Sequence, residues 1–192
     1  MPFHRLPVLV AVALLAGCGT GDGGGSPAAS VAPVPAGGDF VLQSADGPFD
    51  TRDLRGRVLL VYFGYSHCPD VCPAALGSGA QALNRLDAGE RGRVRLVMVS
   101  VDPERDTPAM LKEYAAFFHP AMTGVTGTPA EVAAVARSFG AGYVRQPVRP
   151  DGGYAVDHSA NTYVVGPDGR LGAVLAPGAT PDQVLAAARK LL

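Results

Sequence analysis

At 192 residues the chain is long enough for one domain with a true hydrophobic core. It is 47% apolar and only 17% charged, with a formal net charge of -1, which excludes both an acidic disordered chain and a basic nucleic-acid binder. Its three cysteines, Cys18, Cys68 and Cys72, are too few to staple a disulfide-rich mini-domain.

The chain opens with a short segment holding Arg5, followed by an apolar run over Leu6–Ala16 broken only by Pro7. That run is shorter than the ~20 residues a spanning helix needs. A basic start, an apolar stretch and small residues at its end predict a secretory signal peptide over residues 1–17. Leu15-Ala16-Gly17-Cys18 resembles the lipobox of bacterial lipoproteins, which implies cleavage before Cys18 and lipid on its sulfur. Residues 18–37 are Gly-rich and then Ala/Pro-rich, a tether that is flexible first and stiffer later. The expected arrangement is a folded domain over residues 38–192, anchored in a bacterial cell envelope and exposed outside the cytoplasm.

Within that domain, Phe40–Gln43 and Phe49–Thr51 flank Asp46-Gly47, a hairpin signal. The unbroken apolar run Val58–Phe63 predicts a strand buried on both faces. Leu76, Ala80, Leu83 and Leu86 recur at helical spacing over residues 73–86, and Val94–Val101 is a second buried strand. Three Thr-Pro pairs, at 107–108, 128–129 and 180–181, each read as a helix start, with the hydroxyl as cap and proline in the first turn. The first of these helices is expected to turn Met110, Leu111, Tyr114, Phe117 and Phe118 inward, and the last Val184, Leu185, Ala188 and Leu191. Asn161–Val165 and Arg170–Leu175 enclose a Pro-Asp-Gly turn and form a late hairpin. Strands alternating with helices predict an α/β fold, with a central mixed sheet, helices on both faces and an N-terminal hairpin. A strand leading into a cysteine pair at a helix start is the order of a thioredoxin-like domain.

That pair sits in Phe63-Gly64-Tyr65-Ser66-His67-Cys68-Pro69-Asp70-Val71-Cys72-Pro73. If residues 68–72 form the first helical turn, both sulfurs share one face about 5–6 Å apart. The free amides of a helix start favour thiolate there, and a lowered thiol pKa serves either disulfide exchange or a soft metal. An inert disulfide is the poorer reading, since so small a loop gains little chain entropy. A four-cysteine zinc site is excluded, because only two thiols remain once Cys18 is lipidated.

A metal would need a third ligand. His67 is adjacent to Cys68, so it lies off the face of the pair and can only modulate it. His119, between Phe118 and Pro120, most simply caps a helix end or faces solvent. His158 precedes a strand expected to return beside the first strand–helix junction, which leaves a ligand role and a local hydrogen-bonding role both open. Asp102-Pro-Glu-Arg-Asp106 reads either as a partner surface or as a loop ordered by Asp–Arg pairing before a capped helix.

Taken together, Cys68-Pro-Asp-Val-Cys72-Pro, Val101-Asp-Pro-Glu-Arg-Asp-Thr-Pro108 and Asp157-His-Ser, followed by Asn-Thr-Tyr-Val-Val165 and Pro-Asp-Gly169, resemble the SCO (SCO1/SenC) family over about residues 38–192. The resemblance implies a thioredoxin-like fold and copper, as Cu(I), Cu(II) or both, bound by Cys68, Cys72 and His158. It further implies assistance in assembling the copper centre of cytochrome c oxidase. The partners would be a copper-bearing oxidase subunit, a copper donor and a thiol reductant. Many members carry a membrane-spanning helix where this chain carries a lipobox. The alternative function is thiol-disulfide exchange on the oxidase subunit's cysteines, with Cys68 attacking and Cys72 resolving.

Overall fold

The computed structural model describes residues 36–192. The leader over residues 1–17, Cys18 and nearly all of the tether lie outside the described residues. In chain order the elements are β1 (Val41–Ser44), β2 (Gly47–Asp50), β3 (Val58–Gly64), α1 (Val71–Asn84), β4 (Val94–Ser100), α2 (Pro108–Phe118) and β5 (Met122–Val125). There follow α3 (Pro129–Ser138), β6 (Tyr143–Arg145), β7 (Val156–His158), β8 (Thr162–Val165), β9 (Leu171–Leu175) and α4 (Pro181–Arg189). Among the described residues no helix is long and apolar enough to cross a membrane.

The central sheet has the order β5-β4-β3-β8-β9. β3, β4 and β5 run parallel, while β8 pairs antiparallel with both β3 and β9, so the sheet is mixed. Every residue of β3 is buried, as the continuous apolar run requires of a central strand covered on both sides. Pleating sends its side chains to alternate faces. Leu60 packs with Leu83, Leu185 and Ala188 on the face of α1 and α4, and Phe63 stacks with Phe139 and Tyr163 on the other. Phe40 of the N-terminal segment joins that aromatic cluster through Phe139.

Each Thr-Pro pair caps its helix. Thr107 accepts from the Met110 amide, and Thr128 and Thr180 form reciprocal boxes with Glu131 and Gln183. Four expectations change. α1 begins two residues before the predicted start and ends two before the predicted end, though Leu86 beyond it stays buried. α2 buries only Leu111 and Ala115; Met110 is 42% and Phe117 85% exposed, because the helix lies at the β5 edge and meets the core along a narrow stripe. Leu191 is only partly buried. β5, β6 and β7 were unpredicted: each has three or four residues, too few for a period to declare itself. β5 also contains Gly124, where a Cβ would lie 2.8 Å from the Leu111 carbonyl oxygen, so glycine is what lets α2 approach this strand.

Candidate metal centre

The parallel strands β3 and β4 end together, Gly64 opposite Ser100, and the chain leaving β3 builds one half of the site. The Cys68 amide donates to the Tyr65 carbonyl at 3.2 Å, closing a turn before the helix. Asp70 is the N-cap of α1 without a side-chain cap bond, so the helix starts at Val71. Cys72 therefore sits in the first helical turn and Cys68 in the loop before it, which corrects the expectation that residues 68–72 form one turn. The cause is local: Pro69 disfavours helical dihedrals at the residue before it, Cys68, whose amide instead closes the upstream turn. The sulfurs still converge. A Cβ on Gly64 would lie 2.8 Å from Cys72 Sγ and 2.9 Å from the Tyr62 ring, so only glycine fits at the strand end.

The other half arrives from the far side of the sequence. β6 and β7 form a separate two-stranded hairpin in which Tyr143 pairs with His158. His158 Nε2 lies 3.2 Å from Cys72 Sγ, while Nδ1 lies 3.2 Å from the Ser159 carbonyl oxygen. A carbonyl can only accept, so Nδ1 carries the proton and the Nε2 lone pair faces the sulfur. The ring is held edge-on by Tyr62 and Tyr65, at centroid distances of 6.0 and 5.8 Å. The ligand atoms of Cys68, Cys72 and His158 all lie within 4.8 Å of one another. Two sulfurs and an imidazole nitrogen suit a soft, thiophilic ion. Of the three, Cys68 and His158 line an open cleft of about 380 Å³ rimmed by Pro69, Asp70, Val71 and Asp157, while Cys72 is fully buried. A larger cleft of about 650 Å³ between β9 and α4 holds none of these groups.

Both cysteines are free thiols, with Cys72 fully buried and Cys68 9% exposed. The expected lowering of the thiol pKa fails at Cys72, which burial pushes up to about 12. The neighbouring Cys68 sulfur adds to that rise, while a backbone bond from Tyr65 and the Tyr62 hydroxyl oppose it. Desolvation at a fully buried sulfur outweighs the free amides of the helix start. A cation binding there would displace the proton from Cys72.

The scan against family models matches residues 29–192 to SCO1/SenC. The chain belongs to the SCO1/SenC family. Among curated relatives, mitochondrial SCO2 of Saccharomyces cerevisiae is 40% identical over 141 residues, covering 72% of this chain and 46% of that protein. A protein of Stutzerimonas stutzeri named for copper binding is 37% identical over 138 residues, covering 71% and 67%. Among solved structures, Bradyrhizobium japonicum ScoI with copper bound superposes with a TM-score of 0.73 at 37% identity, covering 82% of this chain and 99% of that one. The chain spans about half the length of the mitochondrial relatives it matches.

For this SCO1/SenC chain, several residues that shape the centre carry no local signal. Asp106 is fully buried and accepts from the Ser66 amide, the Ser66 hydroxyl and the Ser100 hydroxyl, tying the Cys68 loop to the end of β4. Asp102 accepts from Arg105 Nε at 2.5 Å and from the Tyr154 hydroxyl at 2.7 Å. Arg105 also donates to the Tyr154 carbonyl and lies 3.6 Å over its ring. Tyr154 stands four residues before His158, so this clasp fastens the hairpin that carries the imidazole. The buried Asp102 and Asp106 carboxylates order the Asp102–Asp106 loop, while Glu104 stays exposed and pairs with Arg145. His119 ends α2, its Nδ1 accepting from the Ala121 amide at 2.9 Å, which is the capping role. His67 is exposed, its Nδ1 3.0 Å from the Ser66 hydroxyl, on the rim of the site.

Proposed function

We propose that this chain is a copper carrier: Cys68, Cys72 and His158 take up the ion, and the domain hands it to the copper-bearing subunit of cytochrome c oxidase. The observation that carries the reading is the convergence of the three ligand atoms, with the Nε2 lone pair turned toward Cys72. Softness selects Cu(I) at two sulfurs, and the imidazole extends binding to Cu(II). The copper-bound Bradyrhizobium relative supports it. In this reading residues 1–17 are removed, Cys18 holds lipid, residues 18–37 form the tether, and the domain over 38–192 works on the outer side of a bacterial membrane. It receives the ion from a copper donor, and a thiol reductant keeps the pair reduced.

The asymmetric burial of the pair favours a second activity at the same sulfurs. Cys68, the more exposed, attacks a disulfide of the oxidase subunit and forms a mixed disulfide. Cys72 then displaces the subunit, which leaves with both thiols reduced while Cys68–Cys72 becomes the disulfide. Two electrons and two protons pass to the subunit. Anaerobic copper titration of the reduced protein beside C68S, C72S and H158A separates the readings. The carrier reading expects stoichiometric Cu(I) binding, lost in all three variants, with thiol exchange surviving only in H158A. No tight Cu(I) binding, together with no sulfur-to-Cu(II) charge-transfer absorption, would overturn it.

A further inference from the structure

The end of the domain opposite the sulfurs concentrates positive charge. β3 and β4 begin side by side, Val58 opposite Val94, so Arg57 immediately precedes one strand and Arg95 is the second residue of the other. Burial, and then the charge of Arg57, lower the pKa of Arg95. Arg91 lies in the turn that enters β4. The turn before β9 brings Arg170 to the same end, since Val165 pairs with both Leu59 and Leu171, and the Gly56 amide donates to the Pro167 carbonyl at 3.0 Å. α4 also finishes here, with Lys190 capping it.

Among the described residues, none of Arg57, Arg91, Arg95, Arg170 and Lys190 has a carboxylate within 4.0 Å. The carboxylates left without a Lys or Arg partner at this end are Asp53, Asp87 and Asp168, so positive charge is in excess. The metal-binding end is the reverse. Arg105, Arg145 and Arg149 are each paired, with Asp102, Glu104 and Asp151, while Asp70 and Asp157 stand exposed without a cation. A chain of net charge -1 is thus polarised along β3, over roughly 20 Å.

The described chain also enters at the basic end. The Gly37 amide donates to Ser138 at the end of α3, a Cβ on Gly37 would lie 2.7 Å from Leu171 Cβ, and Asp39 pairs with Arg55. We propose that this arginine-rich end rests on an anionic lipid surface, which orients the domain with its cysteine–histidine cleft turned away from the bilayer. Each basic side chain within a Debye length adds attraction, and the acidic rim of the cleft is repelled. The inference uses only charge and topology and stands apart from the copper reading.

The test uses the full chain carrying Cys18→Ser, so that no acyl chain is attached, with vesicles of phosphatidylcholine alone or mixed with phosphatidylglycerol. The leader carries Arg5 and itself favours phosphatidylglycerol, so the readout is the change in that preference on altering the basic end. Sedimentation is expected to favour the phosphatidylglycerol vesicles at low salt, with the gap closing at high salt. The added triple change Arg91→Gln, Arg170→Gln and Lys190→Gln, all at exposed positions, is expected to weaken that preference by roughly a hundredfold. Arg145→Gln with Arg149→Gln, at the far end, leaves it unchanged. Hydrogen exchange on the vesicles is expected to slow in the turns at 91–93 and 166–170 but not in the hairpin at 143–158. Equal sedimentation with both vesicles at low salt, a preference untouched by the triple change, or slowing at the hairpin instead, overturns the proposal. So does tight capture of a polyanion such as RNA without any preference for phosphatidylglycerol.

Discussion

The two halves of the candidate metal centre are built differently. The sulfur half is continuous with the core: it follows directly from a fully buried strand, carries a fully buried Cys72, and is pinned by the buried Asp106 through Ser66 and Ser100. The imidazole half rides on two strands of three residues each, outside the central sheet, and is fastened to the domain by Tyr154, Arg105 and Asp102. An isolated two-stranded hairpin is marginal in water, so its placement depends on that clasp. The centre thus pairs a thiol wall built into the core with a ligand carried on a peripheral hairpin. A carrier that must both hold and release an ion can use such a division.

The largest test strikes the sulfur half. Cys72→Ser is expected to abolish stoichiometric Cu(I) binding in competition titrations, because among the described residues no other cysteine joins His158 and Cys68. Gly64→Ala strikes the same wall without removing a donor. Its methyl would overlap Cys72 Sγ and the Tyr62 ring, and overpacking of this kind costs about 1–3 kcal/mol in urea unfolding. Gly64→Ala is therefore also expected to weaken metal binding.

Tyr154→Phe addresses the imidazole half. It keeps the ring beneath Arg105 but removes the bond to Asp102. Loss of the bond is expected to cost about 1 kcal/mol or a little more and to lower copper affinity by roughly tenfold. The signature of a positioning role is faster amide exchange over residues 143–158 and faster release of the ion, with the alkylation rates of Cys68 and Cys72 unchanged. Equal release rates in both proteins would make the clasp merely structural.

A separate test is a pH slope. Burial holds the Cys72 thiol at about 12 against an ordinary 9.0, so the folded chain keeps a proton that the unfolded chain surrenders between those values. The unfolded state then binds fewer protons, and stability falls as pH rises. The contribution is complete below pH 9 and is lost on approaching pH 12. Stepwise urea titrations of the metal-free protein should show this alkaline decline, and Cys72→Ala should flatten part of it.

Legibility in the sequence followed element length and locality. The run Val58–Phe63, the three Thr-Pro starts and the cysteine spacing are local signals with local causes, and each appears in the structure near its expected place. β5, β6 and β7 escaped because a strand of three or four residues shows no period. The exposure of Phe117 escaped because it depends on where α2 sits against β5, not on its own spacing. Ser66 and Asp106 are 40 residues apart and Asp102 and Tyr154 are 52 apart, so neither pairing could be read from either end.

The sequence by itself determined the α/β alternation, the helix caps and the family to which the chain belongs, because these rest on neighbouring residues or recognisable motifs. Only the tertiary structure decided that Cys68 precedes the helix, that the thiol of Cys72 is driven up rather than down, and that an imidazole 86 residues away meets it at 3.2 Å. Burial and long-range contact belong to the packed chain as a whole, and they set the electrostatics of a site more strongly than the dipole of one helix turn.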